Sequence, residues 1–584
     1  MMDVNGLIRA ASQLFNEKKY TEVIEKLHQA WDGITDKNTQ IPEQIKIQYW
    51  LGEYYLKQAI NAKDTDKADE LFEQAVWHFQ ELLQLTKQLE DKQDRIQEQI
   101  IAQFRLSFCY LKHAQKTKDT DKTDKLFGQA VEYARKRLEL TKQLKDGQDK
   151  IHKQIVAQFR LGRCYLEQIK RSKSTSEAEI FVKQANENFL AAYEQLSQLS
   201  NEEAKKEWEK TIRLGLRDID YLNEDWNSYF EKKKQEIQES LFKGETSQPQ
   251  DAVSTVLAVL HITPIELGSI PMAHYTSPHV CHILFGIGGN ETAKPMRLGS
   301  STYMNDPSEG RGLLDLLNQQ DLELENKVDG ASHNAFFTCF SSRVNDLNQF
   351  RLYGKEDGVE ASGCCLVFNK NGDWLRETDV SASFHNPSQK SGQDSDDLPE
   401  ADYPDDKYEK LPLYQVAYIA YKDEYIAEKK CGIWLLPQEK LKFGIRLKPV
   451  GNEKWHRFRL KKLRKSLKDL IRFFNKPTVS DDDKEALEYI RYLFKDFAFR
   501  DEEEFRLLVI KPIDSKKIEY CETTQSVYIP YADIRNQADE VILGTNYEKT
   551  GNQRKAEVFR YRMKQKCPDV KVSRSTLPIN PPNK

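Results

Sequence analysis

The residues best placed to do chemistry sit in short polar motifs at the ends of apolar runs. Glu502-Glu503-Glu504-Phe505-Arg506 stands at the mouth of the run Phe505–Ile510. Alternate residues of a strand share a face, so a strand through this motif predicts Glu502 and Glu504 side by side. A carboxylate held in a dry pocket stabilises positive charge that develops in a transition state more than it stabilises the ground state. His274-Tyr275-Thr276 follows an apolar approach and precedes a predicted helix. Leu298 to Glu309 ends a strand in Ser300-Ser301-Thr302-Tyr303 and an Asn305-Asp306-Pro307 turn. Thr338-Cys339-Phe340-Ser341 and Phe350-Arg351-Leu352-Tyr353-Gly354 complete the set.

Each motif also has a purely structural reading. An Asp-Glu-Glu-Glu run is ordinarily a solvated turn. A histidine such as His274 can be a hydrogen-bonded core residue, and Arg506 can be the partner of Glu309. Asn305, Asp306 and Pro307 fix a turn through side-chain bonding to their own backbone and a preset φ. His274, His279, Cys281 and His282 lack a second ligand pair at zinc spacing, so no metal site is assigned. There is no phosphate-binding G-x-x-x-x-G-K-[ST] and no H-E-x-x-H, while Gly286-Ile287-Gly288-Gly289 lacks the last glycine of a dinucleotide fingerprint.

In their order, these motifs resemble the bacterial domain-of-unknown-function family 2971. Its members carry H-Y-T, N-D-P-x-E, C-F-S, a [W/F]-x-x-Y-G…G-V segment and E-x-E-[F/Y/W]-R. Glu540-Val541-Ile542-Leu543-Gly544, with Ser573 and Ser575, extends the match across residues 270–578. The chain departs from the pattern in insertions at 385–410 and 440–490, and in Phe350 where tryptophan is common.

The order His-x-Thr, Ser-Ser-Thr-Tyr, Glu-x-Glu further resembles the three-part signature of ADP-ribosyltransferases. That resemblance implies NAD as substrate, with His274, Tyr275 and Thr276 gripping its ribose and Ser301 and Tyr303 shaping a nicotinamide pocket. It implies Glu504 beside the reacting ribose, where cleavage builds oxocarbenium-like charge, and Glu502 orienting the acceptor. The function expected on this basis is transfer of ADP-ribose from NAD to a macromolecular target, as in a toxin, an effector or an antiviral defence protein. The alternative is a non-catalytic nucleotide-sensing or protein-interaction scaffold.

The elements that must position these residues follow an internal repeat. Tyr49-Trp50-Leu51, Phe104-Arg105-Leu106 and Phe159-Arg160-Leu161 recur at steps of 55 residues (104 − 49 and 159 − 104). The same step carries Asp64-Thr65-Asp66-Lys67 onto Asp119-Thr120-Asp121-Lys122. Each unit reads as two helices with apolar residues at three- and four-residue spacing. Such units stack into a solenoid and present an extended surface to a protein partner. The pattern resembles tetratricopeptide-like repeats. The predicted organisation is an all-α helix-pair solenoid over 1–230, a linker over 231–255, and an α+β domain with a split mixed β core over 256–584. Within that domain a polar insertion falls at 385–410.

Composition bounds the rest. With 584 residues the chain exceeds a single core. A net charge of −4, from 88 basic and 92 acidic residues, provides no global field for nucleic acid or anionic lipid. Nucleic-acid binding would rest on the basic face around Lys461–Lys468 alone, and a solvated face is the simpler reading. The nine cysteines lack C-x-x-C pairing, so they read as reduced thiols in a cytoplasmic protein, a secreted effector being the other setting. No basic–apolar leader opens the chain and no apolar run reaches the roughly 18 residues of a membrane span.

Overall fold

The structure is a computed structural model that describes the chain apart from residues 1–2, 17–18, 37–38, 63–64, 118, 170–173, 243–245, 289–291, 304–308, 321–332, 369–410, 421–442, 477–478, 523, 550–554 and 580–584. The polar insertion at 385–410 and the Asn305-Asp306-Pro307 turn lie outside the described residues, as does the side chain of Tyr303. Two compact units are present, the first ending at Asp225 and the second beginning at Trp226.

The first unit is a helical-hairpin array. Its helices are α1 (Val4–Asn16), α2 (Tyr20–Asp32), α3 (Ile41–Asn61), α4 (Thr65–Thr86), α5 (Lys92–Lys116), α6 (Thr120–Thr141), α7 (Gln148–Ile169), α8 (Thr175–Gln195) and α9 (Glu202–Leu222). Consecutive helices pair as α1/α2, α3/α4, α5/α6 and α7/α8, and each hairpin packs on the next. Asp119 caps α6 by accepting from the backbone N–H groups of Asp121 and Lys122, the turn chemistry that the sequence predicts. Phe72, Phe79, Leu106, Phe159, Phe189 and Trp208 belong to one continuous core. Cys109 and Cys164 are buried in it as small apolar residues.

The hairpins pack through a small-against-large rule. A Cβ on Gly52 would stand 2.4 Å from the Phe79 ring, and one on Gly162 would stand 2.7 Å from Phe189. Glycine in the first helix is therefore what admits phenylalanine from the second.

The second unit holds two sheets. The larger one runs β1 (His261–Ile262), β6 (Leu413–Gln415), β10 (Glu504–Pro512), β4 (His333–Ser341), β2 (Met272–Thr276), β5 (Cys364–Phe368), β13 (Ala538–Leu543), β14 (Lys571–Arg574). Strand β3 (Met296–Ser300) also pairs with β4 and with β12 (Ser526–Ala532), which pairs with β11 (Glu519–Cys521). The smaller sheet orders β8 (Gly444–Arg446), β7 (Ala417–Ala420) and β9 (Phe494–Asp496). Most pairs are antiparallel, but β13/β14 and β7/β9 are parallel. This is the α+β unit with a split mixed β core that the sequence predicts. The chain passes from the large sheet to the small one at Val416, whose N–H donates to the Glu504 carbonyl at 3.0 Å.

The predicted linker at 231–255 is corrected by two helices of the second unit, α10 (Trp226–Leu241) and α11 (Gln248–Leu260). The run Glu231–Lys234 looks like polar linker in sequence. In the helix, Tyr229, Phe230, Lys233 and Ile237 form one buried stripe. Lys233 is fully buried and pairs with the equally buried Glu266 at 2.9 Å. Glu266 also accepts from the Trp455 indole at 2.8 Å. Pro249 punctuates the start of α11 rather than a loop. The basic segment forms the helix Glu453–Phe474, with Leu463, Leu467 and Leu470 buried while Lys461 and Lys465 face out.

Candidate functional site

The Glu-x-Glu motif builds a buried ionic cluster where the two sheets meet. Glu504 begins β10, and its two carboxylate oxygens accept from Arg506 Nε at 2.6 Å and Nη2 at 3.0 Å, a bidentate pair. Lys495 of β9 donates to Glu504 at 3.2 Å and to Glu502 at 2.8 Å. Glu309 pairs with Arg506 at 2.7 Å and lies 3.8 Å from Lys495. Three carboxylates therefore surround two cations, a formal excess of one negative charge (3 − 2). The Tyr353 hydroxyl donates to Glu502 at 2.6 Å. That tyrosine is 38% exposed and is the cluster's outward edge, since Glu502, Glu504, Lys495 and Arg506 are all buried.

The two glutamates differ in protonation. Burial raises the Glu504 carboxyl, but the charges of Arg506 and Lys495 outweigh it and hold the group down at about 2. Burial raises Glu502 too, and there it prevails with help from the Glu504 charge, so Glu502 sits above the usual carboxylate range. The excess negative charge of the cluster thus bears most on Glu502, the member whose carboxyl is shifted upward.

Strand alternation is not what brings the two glutamates together. Glu502 ends a 3₁₀ turn (Phe497–Glu502), and Glu503 has φ 45°, a left-handed conformation. That residue turns its own side chain out to Lys448, Ser342 and Arg343. The kink lets Glu502 and Glu504 both reach Lys495 although only Glu504 is in the strand.

The H-Y-T motif is divided between the faces of the sheet. Glu504 opposes Ser341, and Ser341 opposes Ala273. Directly opposed residues share a face, so Ala273 and Tyr275 lie on the Glu504 side, whereas His274 and Thr276 lie on the other. His274 Nδ1 donates to the Cys339 carbonyl at 2.9 Å, and its ring sits 5.7 Å from that of Phe340. Burial lowers its pKa, which keeps the imidazole neutral. Thr276 is buried and pairs with Cys364 at the end of β2. The Tyr275 hydroxyl donates to the Arg343 carbonyl at 2.6 Å and accepts from Asp346 N–H at 2.8 Å, which clasps the following turn. Ser301 is half-buried at the start of the 3₁₀ turn after β3. The expected NAD-binding set is therefore not one surface. His274 cannot meet a ligand that touches Glu504 on its own face of the sheet.

Lys495 escaped the sequence reading. A lysine inside Tyr492-Leu493-Phe494-Lys495-Asp496-Phe497 is the available signal, because a cation in so apolar a run must find carboxylates when buried. The neighbourhood of the zinc-like residues is also apolar. Cys281 is buried, and His282 stacks on Phe559 at 5.5 Å between ring centroids. Among the described residues no group of three metal-ligating side chains forms.

A second candidate lies in the hairpin array. Phe104, Ser107, Phe108, Ala134, Arg137 and Arg160, with Arg163 and Glu167 at the edge, line a recess of about 20 Å³ between α5, α6 and α7. The guanidinium carbons of Arg137 and Arg160 lie 4.6 Å and 4.8 Å from the Phe104 ring centre. No described helix is long and apolar enough to cross a membrane. No protein-family model matches the chain, and no curated protein is significantly similar to it.

Proposed function

We propose that the chain is a protein-interaction scaffold in which the helical-hairpin array, tetratricopeptide-like in its repeat, holds a macromolecular partner. The observation that carries this reading is the recess between α5, α6 and α7, a polar opening inside an otherwise continuous apolar core. In the second unit, by contrast, the strongest catalytic candidate is already engaged, with both Glu504 oxygens held by Arg506 and one also by Lys495. A photo-crosslinking amino acid at Gln115, which lines the recess, tests the reading in the full chain. A discrete protein adduct is expected from Gln115 and not from the exposed Glu557 of the second unit. Equal labelling from both positions, or none, would sink it.

A second reading is favoured by one observation. Burial and the Glu504 charge shift the Glu502 carboxyl upward, beside a cation and a surface tyrosine. Two carboxyls driven apart in this way suit acid–base roles. ADP-ribose transfer from NAD then centres on Glu502 and Tyr353, with Glu504 ionised behind them. Nicotinamide release by the full chain, abolished in Glu502→Gln, is the result this reading requires.

A further inference from the structure

The helix Lys555–Lys566 packs into the core of the second unit through Ala556, Phe559 and Met563, all buried. Phe559 stacks on His282 and meets Tyr547 edge-on. With about 3.6 residues per turn, the opposite side of the helix is set by Val558, Tyr561 and Gln565. Tyr561 is 66% exposed, more than any other large apolar side chain among the described residues. Its ring and hydroxyl have no partner among those residues. Arg560 and Lys564 stand one turn apart on one flank of this stripe, and Arg562 and Lys566 on the other. All four are exposed.

None of the four cations has a carboxylate partner among the described residues. Arg562 donates to the Ile287 carbonyl at 2.8 Å and Lys564 to the Pro568 carbonyl at 3.1 Å. A carbonyl engages a single donor and leaves the charge in place, and a guanidinium has several donors more. Glu557 and Asp569 are the carboxylates within residues 557–569, so the four cations leave an excess of two (4 − 2). The other basic helix, Glu453–Phe474, is built differently. There Arg457 pairs with Glu453, Lys462 with Glu231 and Arg472 with Asp469, and Phe458 and Phe473 are half-buried.

A polyanion with flat, stackable groups matches the surface around Tyr561. An exposed ring stacks on any base, and cations on either side of it reach the phosphates that flank that base. A carboxylate would instead meet the electron-rich face of the ring. A bilayer requires a broad apolar face, and the apolar face of this helix is buried in the core. Gln565, one turn beyond Tyr561, offers a donor and an acceptor to a ribose 2′-hydroxyl, the group that separates RNA from DNA.

We propose that the helix Lys555–Lys566 is a docking surface for single-stranded RNA. Tyr561 stacks a base, the two flanking pairs of cations hold the adjoining phosphates, and Gln565 contacts the sugar. This surface belongs to the second unit and is independent of the partner held by the hairpin array.

The probe is a fluorescein-labelled oligouridylate of ten nucleotides, titrated into the full chain. The matching oligodeoxyuridylate and vesicles of equal parts phosphatidylserine and phosphatidylcholine are the other arms. The variants are Tyr561→Ala, Tyr561→Phe, Gln565→Ala and the double change Arg560→Gln with Lys564→Gln, all at exposed positions. Circular-dichroism melts within a few degrees of wild type verify their folds. Lys461→Gln with Lys465→Gln is the control on the other basic helix.

Oligouridylate should bind ~5-fold tighter than oligodeoxyuridylate. Tyr561→Ala should lose ~10-fold in RNA affinity while Tyr561→Phe retains it, with the salt dependence unchanged in both. The Arg560 and Lys564 double change should reduce the slope of log affinity against log salt by about 1.4 (0.7 × 2). Gln565→Ala should erase the preference for RNA, and the Lys461 and Lys465 control should bind as wild type does. Failure of oligouridylate to bind would overturn the proposal, as would equal binding by wild type, Tyr561→Ala and the Arg560 and Lys564 double change. Equal binding of the two oligomers by wild type would overturn the RNA assignment. Vesicle binding that Tyr561→Ala abolishes, with neither oligomer bound, would assign the helix to a membrane surface and overturn the proposal.

Discussion

Glu502 and Glu504 share one ammonium group, Lys495 Nζ, at 2.8 Å and 3.2 Å, yet their carboxyls are shifted in opposite directions. Both carboxylates face the same cation, yet only Glu504 also has the Arg506 fork. The arrangement therefore has one carboxyl held well below the usual range and one shifted upward, and this asymmetry governs how the cluster answers mutation and pH.

Replacing Glu504 with Gln breaks the bidentate pair and leaves Arg506 buried against a neutral amide. Removing one partner of a buried pair typically costs ~3–5 kcal/mol. Glu502→Gln removes the excess negative charge and keeps a polar side chain beside Lys495 and Tyr353, so its effect should stay within ~1 kcal/mol at pH 7. Urea midpoints of the two variants in the full chain measure the contrast. Equal losses would show that the charge asymmetry is wrong.

The pH dependence follows with a definite sign. The folded Glu504 carboxyl is depressed to about 2, below its unfolded value of ~4.3. Its stabilisation is therefore fully present above ~4 and is lost as pH falls towards about 2. For Glu502, raised in the folded state, stability declines as pH climbs past the unfolded value. Melting temperature against pH should show an acid limb that weakens in Glu504→Gln, and a decline setting in above the unfolded carboxyl value that disappears in Glu502→Gln.

The corrected boundary predicts which fragments fold. Residues 226–584 should be soluble and melt cooperatively, whereas 256–584 should aggregate. The shorter fragment lacks Lys233, leaving Glu266 buried beside Trp455 without the cation that helps hold its carboxyl near about 2. Size-exclusion profiles of the two decide the point, and a monodisperse 256–584 would refute it. Residues 1–225 alone should be strongly helical, because the stacked hairpins share a core among themselves.

Gly544 closes the Glu540–Gly544 motif for a steric reason. A Cβ there would stand 2.0 Å from the Ala361 carbonyl oxygen, while the Gly544 N–H donates to Gly363 at 2.9 Å. Because the obstructing atom is backbone, Gly544→Ala should destabilise the second unit by several kcal/mol, on the order of ~3. A melt showing two transitions in wild type, with only one lowered in the variant, is the expected readout.

The amino-acid sequence by itself determined the hairpin array, because a 55-residue period and three- and four-residue apolar spacing are local signals that survive without tertiary information. It also determined the strands Cys364–Phe368 and Phe505–Ile510, the helix carrying Lys461–Lys468, and the pairing of Arg506 with Glu309 as a live possibility. Only the tertiary structure decided the rest. Whether Glu231–Lys234 is a linker or a helix depends on Glu266, some thirty residues on, which supplies Lys233 with a buried partner. The separation of His274 from Glu504 depends on the register of β2 on β4 and of β4 on β10, and a one-residue slip would exchange the faces. Lys495 reached the glutamates only because β9 pairs with β7 in a second sheet. Charged groups in an apolar interior are placed by partners distant in the chain, and spacing along the sequence cannot encode that distance.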